Sequence, residues 1–156
     1  MSILEKIVVD KRSEVALKKA LIPIKQLEKS ILFDRKTYSL AESIRASSSG
    51  IIAEHKRRSP SKAVINQNLS VQQVARGYEK AHASGMSVLT DGHYFGGSLD
   101  DLLLARASCQ LPLLRKEFII EPYQIIEAKA YGADVILLIA AILTAQELAS
   151  LSLIHI

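Results

Sequence analysis

A chain of 156 residues, 49% hydrophobic and 23% charged, has enough apolar material for one packed domain, which excludes intrinsic disorder. A single cysteine, Cys109, excludes a disulfide framework, and apolar runs such as 135–143 fall far short of the roughly 20 residues that span a bilayer. The N-terminus alternates apolar with charged residues, which is not a secretion signal. The formal charge of +4 suits an anionic metabolite as readily as nucleic acid, and the expectation is a soluble protein of a reducing, cytoplasmic compartment.

Residues 1–49 read as a helical, polar-rich extension wrapped on something larger. Ile3, Leu4, Ile7, Val8, Val15 and Leu17 recur at helical spacing, Pro23 interrupts, and Ser39 with Glu42 forms a capping box for a further short helix. From residue 50 the pattern changes to short apolar runs alternating with capped helices. Strands are predicted at 51–53, 86–90, 112–116 and 135–139. Between them, Ser70 with Gln73 opens a helix that stops at Gly85, and Ser98 with Asp101 opens the next. Glu121-Pro122 starts a third helix closed by Gly132, and Thr144 with Glu147 caps the last. The strands are continuously apolar, as expected where both faces of a parallel sheet are buried.

Four βα units in succession give an α/β class. With one module in roughly 27 residues, eight modules plus the extension would approach about 260, close to the length typical of a (β/α)8 TIM barrel. The chain therefore reads as the first four βα units of such a barrel, residues 50–150, behind the helical extension. A doubly wound open sheet is the competing arrangement, weakened because no Gly-rich dinucleotide turn follows the first strand.

In such barrels the chemistry sits at the strand ends. Glu54 and Lys56 are two apart and share a face of the first strand, the second ends in Thr90-Asp91, and the third in Arg115-Lys116-Glu117. Charged groups ending apolar strands are costly unless paired or solvated at a site. Rim salt bridges would explain any single one; three strands ending alike point to a shared site that handles anions and moves protons. The basic run at 55–62 lacks neighbouring aromatics for base stacking and reads as a phosphate- or carboxylate-binding loop rather than a nucleic-acid patch. Alternation points His55 away from the barrel interior, a structural role it shares with His82 and His93, and no spacing suggests a metal site. Gly96-Gly97 before a helix is a weak phosphate-cradle signal, and Tyr94, Phe95 and Phe118 supply apolar walls.

At these residues the sequence resembles the indole-3-glycerol phosphate synthase family. The matching runs are residues 52–62, then 87–91 with 94–98, then 114–118 with Tyr123-Gln124, and finally 132–134 with 137–139. Their order makes the resemblance specific over residues 2–150. It implies ring closure of 1-(2-carboxyphenylamino)-1-deoxyribulose 5-phosphate with loss of carbon dioxide and water, without a cofactor, a metal, a nucleic-acid partner or a membrane. It assigns Lys116 as general acid, Lys56 to the substrate's anionic groups, and Glu54 to positioning the lysines and assisting proton movement. Ser59 corresponds to a substrate-binding hydroxyl, and Phe95, Phe118 and Leu137 to the pocket around the anthranilate ring.

The chain departs from the family pattern at Ala63, His82, Gly92 and Glu117, where Gly, Gly, another residue and Asp are usual. The family's further catalytic Glu and Asn and most of its phosphate site belong to later strands, so this length implies a fragment with little or no turnover. Residues 151–156 lose the resemblance and read as a non-native tail. A phosphosugar lyase using Lys116 or Lys56 as a Schiff-base nucleophile, and an inert half-barrel whose open sheet edge pairs with another copy, are the competing readings.

Overall fold

The computed structural model describes residues 1–154; His155 and Ile156 of the expected tail lie outside them. Helix α1 (Ile3–Leu21) opens on a capping box in which the Ser2 hydroxyl accepts from the Glu5 amide at 3.2 Å while the Glu5 carboxylate accepts from the Ser2 amide at 2.6 Å. Pro23 separates it from the single turn α2 (Ile24–Leu27). In α3 (Leu40–Ala46), Ser39 caps the Glu42 amide, but the return bond expected from Glu42 is not formed.

The remaining elements alternate: β1 (Ile52–His55), α4 (Val71–Lys80), β2 (Gly85–Leu89), α5 (Gly92–Phe95), α6 (Leu99–Ser108), β3 (Leu113–Lys116), α7 (Pro122–Ala130), β4 (Val135–Ile136), a 3-10 turn (Ala140–Ile142) and α8 (Ala145–Ser152). All three strand pairings are parallel, and the sheet order is β1-β2-β3-β4. Consecutive parallel neighbours joined by helical crossovers are the arrangement of half a TIM barrel.

The caps at Ser70, Ser98, Glu121 and Thr144 open the helices expected from them. Several boundaries differ from the sequence reading, β1 running to His55 and β3 starting at Leu113 among them. Helix α4 ends at Lys80, and the chain reverses at His82, whose φ of +59° is left-handed; Gly85 is instead the first residue of β2. The turn's backbone bonds, from the Ala83 amide to the Tyr78 carbonyl and from His82 to Glu79, hold His82 in that conformation. The second strand begins a residue earlier than expected, and β4 is limited to two residues because β3 alone pairs with it, at Leu114 and Arg115. The single-turn α5 was not legible as a helix at all.

The sheet is also not equally buried on both faces. Met86, Val88 and Leu113 point into a core closed by Val71, Val74 and Ala75 of α4, Leu102 and Ala105 of α6, and Ala128 of α7. Alternate residues on the opposite face are half-buried at Glu54, Leu114 and Lys116 and 41% exposed at Ile52, because the helices that follow each strand return along one side only. Ile119, Ile125 and Leu151 form a second cluster with Ile136, Leu138 and Ile154, so α8 is packed by its own apolar residues.

The N-terminal helices meet the βα units through a third cluster of Val15, Leu27, Tyr123 and Ala130. Asp134, buried at the start of β4, accepts from Arg35 at 2.7 Å, the Tyr38 amide at 2.9 Å, Arg106 at 2.9 Å and the Leu113 amide at 2.8 Å. One carboxylate thereby joins the extension, α6, β3 and β4. The Tyr123 hydroxyl adds a bond to the Ile22 carbonyl at 2.9 Å.

Candidate active site

Strand alternation sorts the charges at the C-terminal ends of the strands. Glu54 on β1, Ser87 and Leu89 on β2 and Lys116 on β3 share the open face. There the Glu54 carboxylate bridges two ammonium groups, accepting from Lys56 at 3.1 Å and from Lys116 at 3.0 Å, with the Ser87 hydroxyl at 3.2 Å. Partial burial of Glu54 opposes its ionisation, but the hydrogen bonds and charges of Lys116 and Lys56 outweigh that and hold its carboxyl below the ordinary value. The Tyr78 hydroxyl donates to the Glu54 carbonyl at 2.8 Å and fixes that end of β1 from behind.

Beside this triad, Phe95 and Phe118 stand with ring centroids 6.0 Å apart, at 38° to each other. With Lys56, Lys116, Leu89, Asp91, Glu117 and Ile139 they line a pocket of about 70 Å³. The pocket is small, but it combines two ammonium groups with two aromatic walls, the arrangement suited to an anionic aromatic compound. Phe95 reaches it because Asp91 caps α5: one carboxylate oxygen accepts from the Tyr94 amide at 2.6 Å and the Phe95 amide at 3.3 Å.

Of the residues expected at a site, Glu54, Lys56, Lys116, Phe95 and Phe118 come together. Leu137 is half-buried just beyond β4, and the segment's contribution to the pocket wall is Ile139, two residues on. Ser59 lies in the loop after β1, where its backbone pairs in both directions with Lys62 and its hydroxyl accepts from the Lys62 amide at 3.1 Å. It does not line the pocket.

Other charges read from the sequence as one anion-handling group divide differently. Arg115 turns to the helical side, 1% exposed, and donates to Thr90 at 3.1 Å, the Gln124 carbonyl at 2.8 Å and Glu127 at 2.8 Å. Arg57 forms a two-pronged ion pair with Asp101, and Arg58 donates to the carbonyls of Gly92 at 2.8 Å and His93 at 2.9 Å. The two arginines of the basic run therefore fasten the loop to α5 and α6 instead of facing a ligand. Gly97 is no phosphate cradle either: a Cβ there would overlap the Leu89 carbonyl, so the pair Gly96-Gly97 allows α5 to fold back on β2. His55 is buried on the helical side; burial, then Arg57, lowers its imidazole pKa.

Lys11 was not read as part of the site. It is 2% exposed, and its ammonium lies 2.8 Å from Asp91, 3.2 Å from Glu117 and 2.7 Å from Glu14. Burial works against its charge, yet Glu117, Asp91 and Glu14 together raise its pKa above the ordinary value. The sequence carried a signal for it: Ile7, Lys11 and Val15 follow one another at four-residue steps, a lysine in the buried stripe of an amphipathic helix. Ser87 in β2 and Ile139 beyond β4 were missed as well, being unremarkable until the fold places them.

Among the described residues no group of three or more His, Cys, Asp or Glu side chains is arranged to hold a metal ion, and no helix is long and apolar enough to cross a membrane.

Comparison with known proteins accords with this geometry. Residues 4–154 match the family model described as indole-3-glycerol phosphate synthase. Curated proteins of that name are 46% identical over 145 residues in Bacteroides thetaiotaomicron, 41% over 151 in Acinetobacter baylyi and 42% over 153 in Dechloromonas aromatica. These alignments cover 93%, 97% and 96% of this chain, but 56%, 56% and 58% of the respective relatives, so the chain spans just over half their length. A match over nearly every residue, on a half-barrel whose strand ends gather two lysines, a carboxylate and two phenylalanines, places the chain in the indole-3-glycerol phosphate synthase family.

Proposed function

We propose that this chain supplies the acid and aromatic half of a site that converts 1-(2-carboxyphenylamino)-1-deoxyribulose 5-phosphate to indole-3-glycerol phosphate, carbon dioxide and water. The observation that carries the reading is the Lys116–Glu54–Lys56 triad beside Phe95 and Phe118. Lys116 donates a proton to the ketone oxygen as the ring carbon bearing the carboxylate attacks the ketone carbon. Lys56 holds the substrate's anionic groups, and Glu54 keeps both ammonium groups aimed into the pocket. Phe95 and Phe118, with Ile139 in the place expected of Leu137, bound the anthranilate ring; a low-dielectric wall favours decarboxylation, in which charge disperses as carbon dioxide leaves. Ser59, on the loop after β1, is the hydroxyl assigned to the substrate by the family resemblance. The reading carries with it a cofactor-free reaction in the cytoplasm.

The test is Lys116→Met in the protein as its gene encodes it. Loss of a general acid should lower kcat by about 10²–10⁴-fold while leaving KM within about threefold. Unchanged turnover, or a borohydride-trapped substrate adduct on Lys116, would overturn the acid role.

A further inference from the structure

Helix α1 belongs to the N-terminal extension, yet one of its side chains reaches the ends of two strands. We propose that Lys11 is a positioning residue that sets the two aromatic walls of the pocket, an inference that rests on the function proposed above. Its ammonium binds Asp91 Oδ2 at 2.8 Å, while Asp91 Oδ1 accepts from the amides of Tyr94 and Phe95. It also binds Glu117 Oε1 at 3.2 Å, the same oxygen that accepts from the Phe118 amide at 2.9 Å. One cation thus fixes the two carboxylates to which the backbones of Phe95 and Phe118 are tied. Neither ring touches Lys11 as a ring contact; the coupling runs through the caps.

The clamp is buried on all sides: Lys11 is 2%, Asp91 2% and Glu117 3% exposed. Glu117's other oxygen accepts from Thr90 at 2.8 Å and faces Arg115 at 3.7 Å, and Glu14 completes the shell of Lys11 from its own helix. Lys18 holds the second oxygen of Glu14 at 2.9 Å, and Tyr94 is bonded to Asp10 on the neighbouring turn. Glu117 is also the residue immediately after Lys116, so a shift of its carboxylate moves the backbone that carries the proposed acid. Removing the Lys11 charge would leave Asp91 and Glu117 buried without the cation they share, so no common partner would hold the two carboxylates in place against the amides of Phe95 and Phe118.

The experiment compares this chain with its Lys11→Met and Lys11→Arg variants by two readouts. The first needs no ligand: amide hydrogen exchange at Tyr94, Phe95 and Phe118, with the β1–β2 ladder as the internal record of folding. Lys11→Met should speed exchange at those three amides by at least about tenfold with the ladder unchanged, and Lys11→Arg should restore most of the protection. The second is binding of the unreactive ribitol 5-phosphate form of the substrate to the protein as its gene encodes it, followed by the anthranilate fluorescence. Lys11→Met should weaken binding by about tenfold, and Lys11→Arg should restore it to within about threefold of the unmodified protein. Unchanged exchange at the three amides, or exchange that rises equally across the β1–β2 ladder, overturns the clamp. If the amides respond as expected but the unmodified protein does not bind the analogue, the function proposed above fails as the reading of this pocket and Lys11 no longer positions a substrate wall.

Discussion

Glu54 is the residue on which the site turns, because it is the single carboxylate shared by Lys56 and Lys116. Its carboxyl lies below the ordinary value of 4.5: burial pushes the other way, and the two lysines prevail. A depressed folded-state pKa means that its contribution to stability is complete above 4.5 and is lost as pH falls through the folded-state value. The triad should therefore stay intact at neutral pH and come apart only in acid. A carbon-13 titration of the Glu54 carboxyl should show one transition below 4.5, and Glu54→Gln should abolish it and lower kcat by about 10–100-fold through misaimed lysines. A midpoint at or above the ordinary value would mean that the triad does not hold in solution. Glu54, Lys56 and Lys116 were readable from the sequence because strand alternation decides which side chains share a face. Lys11 was not, since its partners come from strand ends far along the chain.

At the scale of elements, the caps were the clearest part of the sequence, because a hydroxyl and an amide three residues apart close a helix start without help from elsewhere. The turns were harder. His82 occupies a left-handed conformation that costs a residue with a Cβ about 1–2 kcal/mol, so His82→Gly should raise stability by about 0.5–1 kcal/mol after glycine's greater unfolded entropy is counted. Gly97→Ala should act in the opposite direction and more strongly, by about 2–4 kcal/mol, because the added methyl meets backbone of Leu89 that cannot move without breaking β2. It should also displace α5 and Phe95 from the pocket. Urea denaturation of the two variants measures both effects; a stabilised Gly97→Ala would contradict the close approach of α5 to β2.

The molecule as a whole depends on groups that join distant segments. Asp134 collects four donors from the extension, α6 and β3. With the carboxylate removed, Arg35 and Arg106 lose their shared partner, and Asp134→Ala should cost about 3–5 kcal/mol, within the range for breaking a buried ion pair. If the extension is held mainly by this residue, proteolysis between α2 and α3 should speed up before the β-sheet core unfolds. Equal loss of extension and core would instead show that the two act as one cooperative unit.

The sequence by itself determined the α/β alternation, the starts of the longer helices, the parallel strand order and the group Glu54, Lys56, Lys116, Phe95 and Phe118, together with the family to which they belong. Each rests on a short-range pattern: a cap, a two-residue alternation, an apolar run or a motif. Tertiary structure alone decided where the other charges went. Arg115 stands next to Lys116 in the chain but on the opposite face of β3, where burial obliges it to pair with Glu127 and Thr90. Arg57 and Arg58, read as anion-binding groups, are consumed by Asp101 and two backbone carbonyls. Lys11 found its role by the same rule, because a charge that folding removes from water must meet opposite charges there, and only the packed fold says which ones are within reach.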